Sequence, residues 1–405
     1  MLDLFSDDAR RNPYPLYEQL RSTSPLLRHE PSDVWLIFDY EGVKRALADY
    51  ETFGSNVSEA AGHPHPDWLI FSDPPRQTKL RGLISRAFTP AVIASLEPRL
   101  RELSCELLDR VIDRDEMDVA GEFAVPLPMT VIAEMIGIPA ADWPRFRRWS
   151  DAILKLSYTT PLTAGGTSSV ETEEAIAASR EFFEAAAEIS VYVKELIAER
   201  RAGAERKVPN DLLTGLAWAE LDGERLTEEE IIGFFQLLLV AGQETTANLI
   251  NNAVLCFMEH PKELERLRRQ PELLPSAIEE VLRYRSPVQW MFRGTRREAR
   301  MHGQVIPAGK LVLPMIGSAN RDPTQFPDPD QFDIAREPNA HIAFGHGVHF
   351  CLGASLARLE AKIALTEFLR RIKNFRPAST EPWEPRKALH VHGPSKLPIR
   401  FERTA

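Results

Sequence analysis

The residues best suited to chemistry crowd into one stretch. His341 stands just before Phe344-Gly345-His346-Gly347-Val348-His349-Phe350-Cys351-Leu352-Gly353, which adds two more histidines and a cysteine. A helical run follows from Ala354 to Ile372, with Leu356, Leu359, Ile363, Phe368 and Leu369 at helical spacing. Cys351 therefore falls at or just before a helix N-terminus, where backbone N–H groups and the helix dipole favour a thiolate. Three readings are open: a packed free thiol, a structural zinc site built from the histidines and the cysteine, and heme iron held by a thiolate. Gly347 and Gly353 allow positive φ and close approach to a flat ligand. Phe344 and Phe350 are placed to cover the loop and keep water from the sulfur. A zinc site needs neither device, and its ligands usually come as spaced pairs from separate segments.

Other constellations lie far away in sequence. Thr227-Glu228-Glu229-Glu230 is a capping box, and the helix it opens is predicted to run until Pro261. That helix is apolar almost all round from Ile231 to Ala241, so it should pass through the core. At mid-length it carries Ala241-Gly242-Gln243-Glu244-Thr245-Thr246. Taken singly, Thr245 would bond the Ala241 carbonyl and Glu244 would be a surface carboxylate. Together, Gly242 weakens the helix and Thr245 takes over a backbone bond, so the ladder can open locally. An alcohol beside an acid can relay protons through water. Glu280-x-x-Arg283 precedes Ser286-Pro287; as a bare surface pair it would contribute only about 0.2–0.5 kcal/mol.

Phe344-x-x-Gly347-x-x-x-Cys351-x-Gly353, with His349 two places before the cysteine, resembles the heme-binding loop of the cytochrome P450 family, in the form of its soluble bacterial members. The resemblance spans about Asn12 to Phe401. It implies a mainly α fold with minor β, a single cytochrome P450 domain over residues 1–405, and heme b between the long central helix and the Cys-loop helix. By the same resemblance Cys351 is the iron ligand, Thr245 the distal alcohol and Glu244 its acid partner. Ala241, Phe344, Gly345 and Gly353 would touch the heme. In Asp73-Pro74-Pro75-Arg76-Gln77-Thr78-x-x-Arg81, Arg81 matches a propionate contact and Gln77 replaces a common histidine; Arg293 and His349 match the other propionate contacts. Glu280 and Arg283 match a pair that locks the heme-side core. Its usual third member is expected in Asp328-Pro329-Asp330-Gln331-Phe332-Asp333, where Gln331 replaces a frequent arginine and weakens the network. Substrate contacts implied are Trp68, Leu69, Ile70, Leu238, Ala241, Val288, Trp290, Met291 and His392, a mostly apolar lining.

The implied activity is that of a heme-thiolate monooxygenase, placing one oxygen atom from O₂ into an apolar small organic substrate by hydroxylation or epoxidation. No reductase domain is present, so electrons would come from a ferredoxin or flavodoxin with its NAD(P)H reductase. Docking is expected on the Cys351 side, where Arg76, Lys79, Arg358 and Lys362 offer positive charge. Rival readings are a peroxide-driven enzyme of the same fold and a heme sensor without turnover; the Glu244–Thr245 pair argues against both.

Composition sets the outer bounds. For 405 residues, length alone suggests two or three domains, against the one that the resemblance implies. A net charge of −10 argues against nucleic acid as a partner. Cys105 and Cys256 lie in apolar helical runs, too scattered for a disulfide framework, so a reducing cytoplasm is expected. Met1 to Arg11 has no apolar h-region, so no signal peptide is expected. The run Phe234 to Ala241 is interrupted by Gln236 and is far too short for a membrane span. The His63 and His65 pair, alternating with prolines, reads as loop. Helices are further predicted at Pro15–Leu20, Tyr40–Ala48, Thr78–Ala87, Pro90–Arg114, Leu127–Ile136, Ala141–Leu156, Glu171–Arg201 and Leu273–Arg285, with a short one from Asn210. Strands are predicted at Trp35–Phe38, Met291–Thr295, Gln304–Ile306, Leu311–Pro314, Leu389–Val391 and Pro398–Phe401.

Overall fold

The computed structural model describes residues 6–30, 32–57, 68–85, 88–157, 173–202, 211–221, 223–386 and 388–404. His63 and His65, a predicted Gly/Ser/Thr-rich break at Pro161–Ser169, the charged connector through Lys207, and Asn210 lie outside these residues.

The chain is mainly helical, with small sheets, and its central element differs from the sequence expectation. The capping box forms: Glu230 N–H donates to Thr227 Oγ1 at 3.1 Å, and Thr227 N–H to Glu230 Oε2 at 2.9 Å. The helix then runs from Glu228 to Ala241 and stops, and a second helix takes over from Glu244 to Glu259. The single helix predicted to Pro261 is thus two. Gly242 and Gln243 form the joint. A Cβ on Gly242 would meet Ile132 Cδ1 at 2.8 Å, so close packing as well as weak propensity favours glycine. Thr245 Oγ1 donates to Ala241 O at 2.7 Å, occupying the carbonyl released by the break. The first helix buries Ile231, Phe235 and Leu239 completely or nearly so, and the second buries Leu249, Ile250 and Val254. A third helix, Pro261–Arg269, begins where proline ends the ladder.

The run predicted as one helix from Pro90 to Arg114 is likewise two, Pro90–Ser95 and Glu97–Asp109. Pro98 sits in the first turn of the second, where a missing N–H does least harm. Helix Ala354–Arg371 packs against Glu97–Asp109 and Glu244–Glu259, burying Leu356, Ile363, Leu365 and Phe368. The loop that ends at Cys351 is therefore anchored to the central helix through the element that follows it.

A five-stranded sheet forms the other side. Strands Leu26–His29 and Val34–Ile37 pair antiparallel, Leu311–Pro314 joins parallel to the second, and Arg293–Thr295 and Phe53–Gly54 complete the edge. Val312 opposite Arg293 fixes the register that turns the Arg293 side chain inward. Glu116–Asp118, Pro398–Arg403 and Ile372–Pro377 make a smaller sheet that sequence patterning only partly predicts. The strand expected at Leu389–Val391 reduces to one bridge, Val288 with Val391. Among the described residues no helix is long and apolar enough to cross a membrane.

Candidate heme-binding and oxygen-handling site

The Cys351 loop folds on itself before its helix begins. Gly345 N–H donates to Ile342 O at 2.9 Å, Phe350 N–H to Gly347 O at 3.0 Å, and Cys351 N–H to Phe344 O at 2.9 Å. Gly345 and Gly347 take φ of 77° and 75°, which a side chain would strain. A Cβ on Gly347 would also stand 2.8 Å from Ala48 Cα, so the loop lies tightly against helix Tyr40–Ala48. Gly353 is different: its φ is −84° and a Cβ there would meet no protein atom within 4 Å. Neither backbone nor protein packing asks for glycine there; a flat group lying close to the loop would.

Helix-terminal stabilisation of the thiolate is weaker than the sequence suggests. The Cys351 side chain is open on one side, yet the protein packed around the sulfur withdraws enough water to push the thiol up, against the opposing pull of the Gly353 N–H, Arg81 and Arg358. A bound cation at the sulfur would favour the thiolate. Phe350 is also not the cover expected, since it is 42% exposed. Phe344 does stay in the site, with the Arg358 guanidinium 4.5 Å from its ring centroid. The zinc reading fails among the described residues, which contain no cluster of three His, Cys, Asp or Glu able to hold a metal. His341 instead donates from Nε2 to Glu279 Oε2 at 3.0 Å and accepts Ala343 N–H at Nδ1.

Near the loop lie three groups with positive or donor character and few acidic neighbours. Arg293 is 4% exposed, its side chain bonds only the Phe292 carbonyl, at 2.7 Å, among the described residues, and burial pushes its pKa down to about 10. His349 Nε2 is buried with no partner among the described residues, and burial, together with Arg293 and Arg81, holds its pKa down at about 4. Burial also lowers Arg81, which the Cys351 sulfur opposes. Such a group is incomplete until carboxylates arrive, so these residues fit the two propionates of a heme beside a thiolate ligand. Gln77 is 1% exposed, and one N–H of its Nε2 donates to Val348 O at 2.8 Å, tying helix Arg76–Ser85 to the loop. An amide nitrogen carries two N–H donors, so Gln77 is a loop anchor as well as a candidate propionate donor.

The Glu280–Arg283 pair is a network, fully buried at 0% exposure on both side chains. Arg283 Nε and Nη2 each donate to a Glu280 oxygen at 2.8 Å. Its remaining N–H groups reach the carbonyls of Asn320, Pro329 and Gln331. The third charge is Arg336, whose Nε lies 3.2 Å from Glu280 Oε1. Gln331 therefore weakens nothing: it contributes only its backbone carbonyl to Arg283 and Arg336. Reading the arginine at position 331 missed it by five places in irregular coil, where spacing carries no periodicity.

At the helix joint, Glu244 is 6% exposed; burial pushes its carboxyl up and Arg386 opposes this. The sequence reading missed a second acid, Glu360 on helix Ala354–Arg371. It is 1% exposed, shares a hydrogen bond with Thr246, and burial pushes its carboxyl up to about 8. Its only sequence signal is an acid on the inward stripe of that helix, level with Leu356 and Ile363. Between the ordinary carboxylate range and that value the folded protein keeps a proton that the unfolded chain has lost, so stability falls as pH rises across the window. Replacing Glu360 with Gln should flatten the fall in melting temperature between about pH 5 and about pH 8; an unchanged slope in thermal melts would contradict the assignment.

The expected substrate contacts divide. Trp68 stacks on Phe71 and donates from Nε1 to Gln236 Oε1 at 3.1 Å; with Leu69 and Leu238 it joins the main core beside the first half of the central helix. Ile70 packs against the same cluster, and Val288 and Met291 lie half-buried against the cluster under the five-stranded sheet. Trp290 and His392 do not join them. Trp290 packs edge-on with Phe292 and His390, and both residues line a cavity with Ala9, Arg10, Pro13 and Gln289 at the N-terminal helix. The buried His392 ring is drawn to Arg11 O at 3.2 Å. Of the docking cations, Arg76 pairs with Glu230, Lys79 with Glu224 and Arg358 with Glu279; Lys362 is exposed with no ion pair among the described residues. The positive face is correspondingly weaker than expected.

Comparison with known proteins agrees with this geometry. The model of the family "Cytochrome P450" matches residues 24–397. The chain is 41% identical to a putative cytochrome P450, YjiB, of Bacillus subtilis, with 92% of this chain and 90% of that protein aligned. It is 42% identical to cytochrome P450 107B1 of Saccharopolyspora erythraea, over 91% and 89% of the two chains. Substrate-free CYP109E1 of Bacillus megaterium superposes with a TM-score of 0.88 at 39% identity, covering 98% of this chain and 100% of that one. The same protein, in crystals with corticosterone, covers 97% of this chain and 99% of that one at a TM-score of 0.84 and 39% identity. The chain belongs to the cytochrome P450 family, heme-iron monooxygenases that take electrons from redox partners and act on small organic substrates.

Proposed function

We propose that Cys351 binds the iron of heme b through its sulfur and that the enzyme hydroxylates or epoxidises an apolar organic substrate. The observation that carries this reading is the placement of the carboxylate-poor group Arg81, Arg293 and His349 beside an exposed cysteine whose loop holds an otherwise unneeded glycine at position 353. Arg81, Arg293 and His349 would hold the propionates. When bound, the heme supplies the activation of dioxygen and the transfer of one oxygen atom.

The chain's own residues meter protons and shape the pocket. The opened turn at Gly242–Gln243 brings the Thr245 hydroxyl beside a carbonyl that no longer belongs to a regular ladder. Glu244, kept protonated more readily by burial, gives a proton toward that hydroxyl, and Thr246 with Glu360 forms a second proton-holding pair on the neighbouring face. Trp68, Leu69, Ile70 and Leu238 exclude water on the substrate side. Electrons arrive from a ferredoxin or flavodoxin and its NAD(P)H reductase at the Cys351 face. Because CYP109E1 has been crystallised with corticosterone and testosterone, steroids are the first substrate probes.

Replacing Thr245 with Ala tests the reading. Product formed per NAD(P)H should fall by about 10²-fold or less while reductant consumption continues and peroxide accumulates. Coupling equal to that of the parent enzyme would remove the relay role.

A further inference from the structure

The second half of the central helix carries a polar row that the acid–alcohol pair does not use. Glu244, Asn248, Asn251 and Asn252 fall within an arc of about 100° on that helix, and the three asparagines are 0% exposed. Buried amides normally have partners. Here both polar atoms of Asn248, both of Asn251, and Oδ1 of Asn252 have none among the described residues. Three such amides in a row are costly to leave dry.

Two of the row, Asn248 and Asn252, face Gly393 and His392. A Cβ on Gly393 would lie 2.5 Å from Asn248 Oδ1, and Asn252 Nδ2 donates to the carbonyls of His392 and Arg285 at 3.0 Å each. Opposite the first turn stands Arg386. Its backbone N–H is fixed to Gly393 O at 3.0 Å, its Nε and Nη2 are buried without partners, and its charge acts on Glu244. At the far end, Nδ1 of His392 and Nε and Nη1 of Arg285 are also buried and unpartnered. His392 in turn lines the cavity at helix Asp7–Arg11, where half-buried Ala9 and Arg10 mark the surface. Polar atoms awaiting partners thus continue from the acid to the N-terminal cavity. Each can offer an ordered water part of the two to four polar contacts that it needs. Thr246 and Glu360 lie on a different face and are not part of this row.

We propose that a file of ordered waters fills the seam between helix Glu244–Glu259 and residues 388–394 and returns protons to Glu244 from the N-terminal cavity, with Arg386 as the positioning residue for the carboxylate. The inference rests on Glu244 being the acid partner of Thr245. After Glu244 gives up a proton, the adjacent water replaces it and takes one from the next water, so the net change is one proton moved from bulk solvent to the carboxylate.

Two measurements on the heme-loaded protein test this. A high-resolution crystal structure should show ordered waters on Asn248, Asn251 and Arg386; a dry seam overturns the proposal. In infrared spectra recorded after mixing with heavy water, at a pH that protonates Glu244, its carboxyl band is assigned by its disappearance in Glu244→Gln. Asn248→Leu should slow exchange of that band by about 10²-fold or more, the scale that positioned proton transfer contributes. Arg386→Met, on a less buried side chain, should slow it too, and Arg386→Lys should restore part of the rate. Exchange at the parent rate in Arg386→Met and in any folded Asn248→Leu overturns the seam. Thr245→Ala keeps the failures apart: parent-like coupling in that variant removes the acid–alcohol reading, whereas unaltered exchange in the seam variants removes only the inlet.

Discussion

Cys351→Ala is expected to abolish turnover and the thiolate-type Soret shift of the reduced CO complex, while the chain stays folded. No other sulfur ligand can replace it. Cys256 is fully buried within helix Glu244–Glu259 and burial pushes its thiol up to about 12. Cys105 lies on helix Glu97–Asp109, with its sulfur 3.6 Å from Glu367 Oε2, and the burial and that carboxylate both raise its thiol. The fold should survive because Cys351 is exposed and its loop is held by backbone bonds, by Gln77 on Val348 O, and by the start of helix Ala354–Arg371. Cys351→His is the informative companion. It should restore a metal ligand and some heme binding without the thiolate spectrum, separating loss of the pocket from loss of the sulfur. A Cys351→Ala protein that keeps the thiolate signature would refute the assignment.

Glu280→Gln should be nearly as damaging, through stability. One buried carboxylate faces two guanidinium groups, Arg283 and Arg336. Removing its charge leaves Arg283, at 0% exposure, and Arg336, at 10%, uncompensated, and breaking a buried pair costs about 3–5 kcal/mol. The same residue accepts the Asp333 N–H at 3.0 Å and an Asn339 amide at 3.2 Å, so the coil before the Cys351 loop would lose its anchor as well. The expected result is little soluble heme-loaded protein and a large fall in the denaturation midpoint. Arg336→Leu should follow the same pattern. Gln331→Ala should stay within about 0.5 kcal/mol of the parent, because the exposed side chain takes no part. Equal effects of Gln331→Ala and Arg336→Leu in urea denaturation would show that the network is misread.

How much was legible in the sequence depended on what held each feature together. Helices governed by local pattern were readable nearly to the residue: Tyr40–Ala48 has its cap at Asp39, and Glu228 follows a capping box. The break at Gly242 could be anticipated as a weakness but not as an end, because Ile132 against Gly242 is a tertiary contact. Arg336 was missed because the coil from Asn320 to Ala343 has no period from which to count. The Gln77 contact with Val348 O is tertiary, and no local motif announces it. The place of Trp290 and His392 beside the N-terminal helix was not legible, because contacts with residues distant in sequence, Ala9, Arg10 and Arg11, set it. Glu360 carried no motif at all; only its burial against Thr246 marks it.

Family membership is secure from the length and identity of the matches, so the claim most in need of test is the ligand and what surrounds it. The direct measurement is the absorption spectrum of the purified protein, reduced and exposed to CO, alongside its iron and zinc content. A red protein with one heme per chain and the thiolate-type Soret shift, lost in Cys351→Ala, is the predicted result. A colourless protein with stoichiometric zinc, or a CO complex of the histidine type in the parent protein, would contradict it.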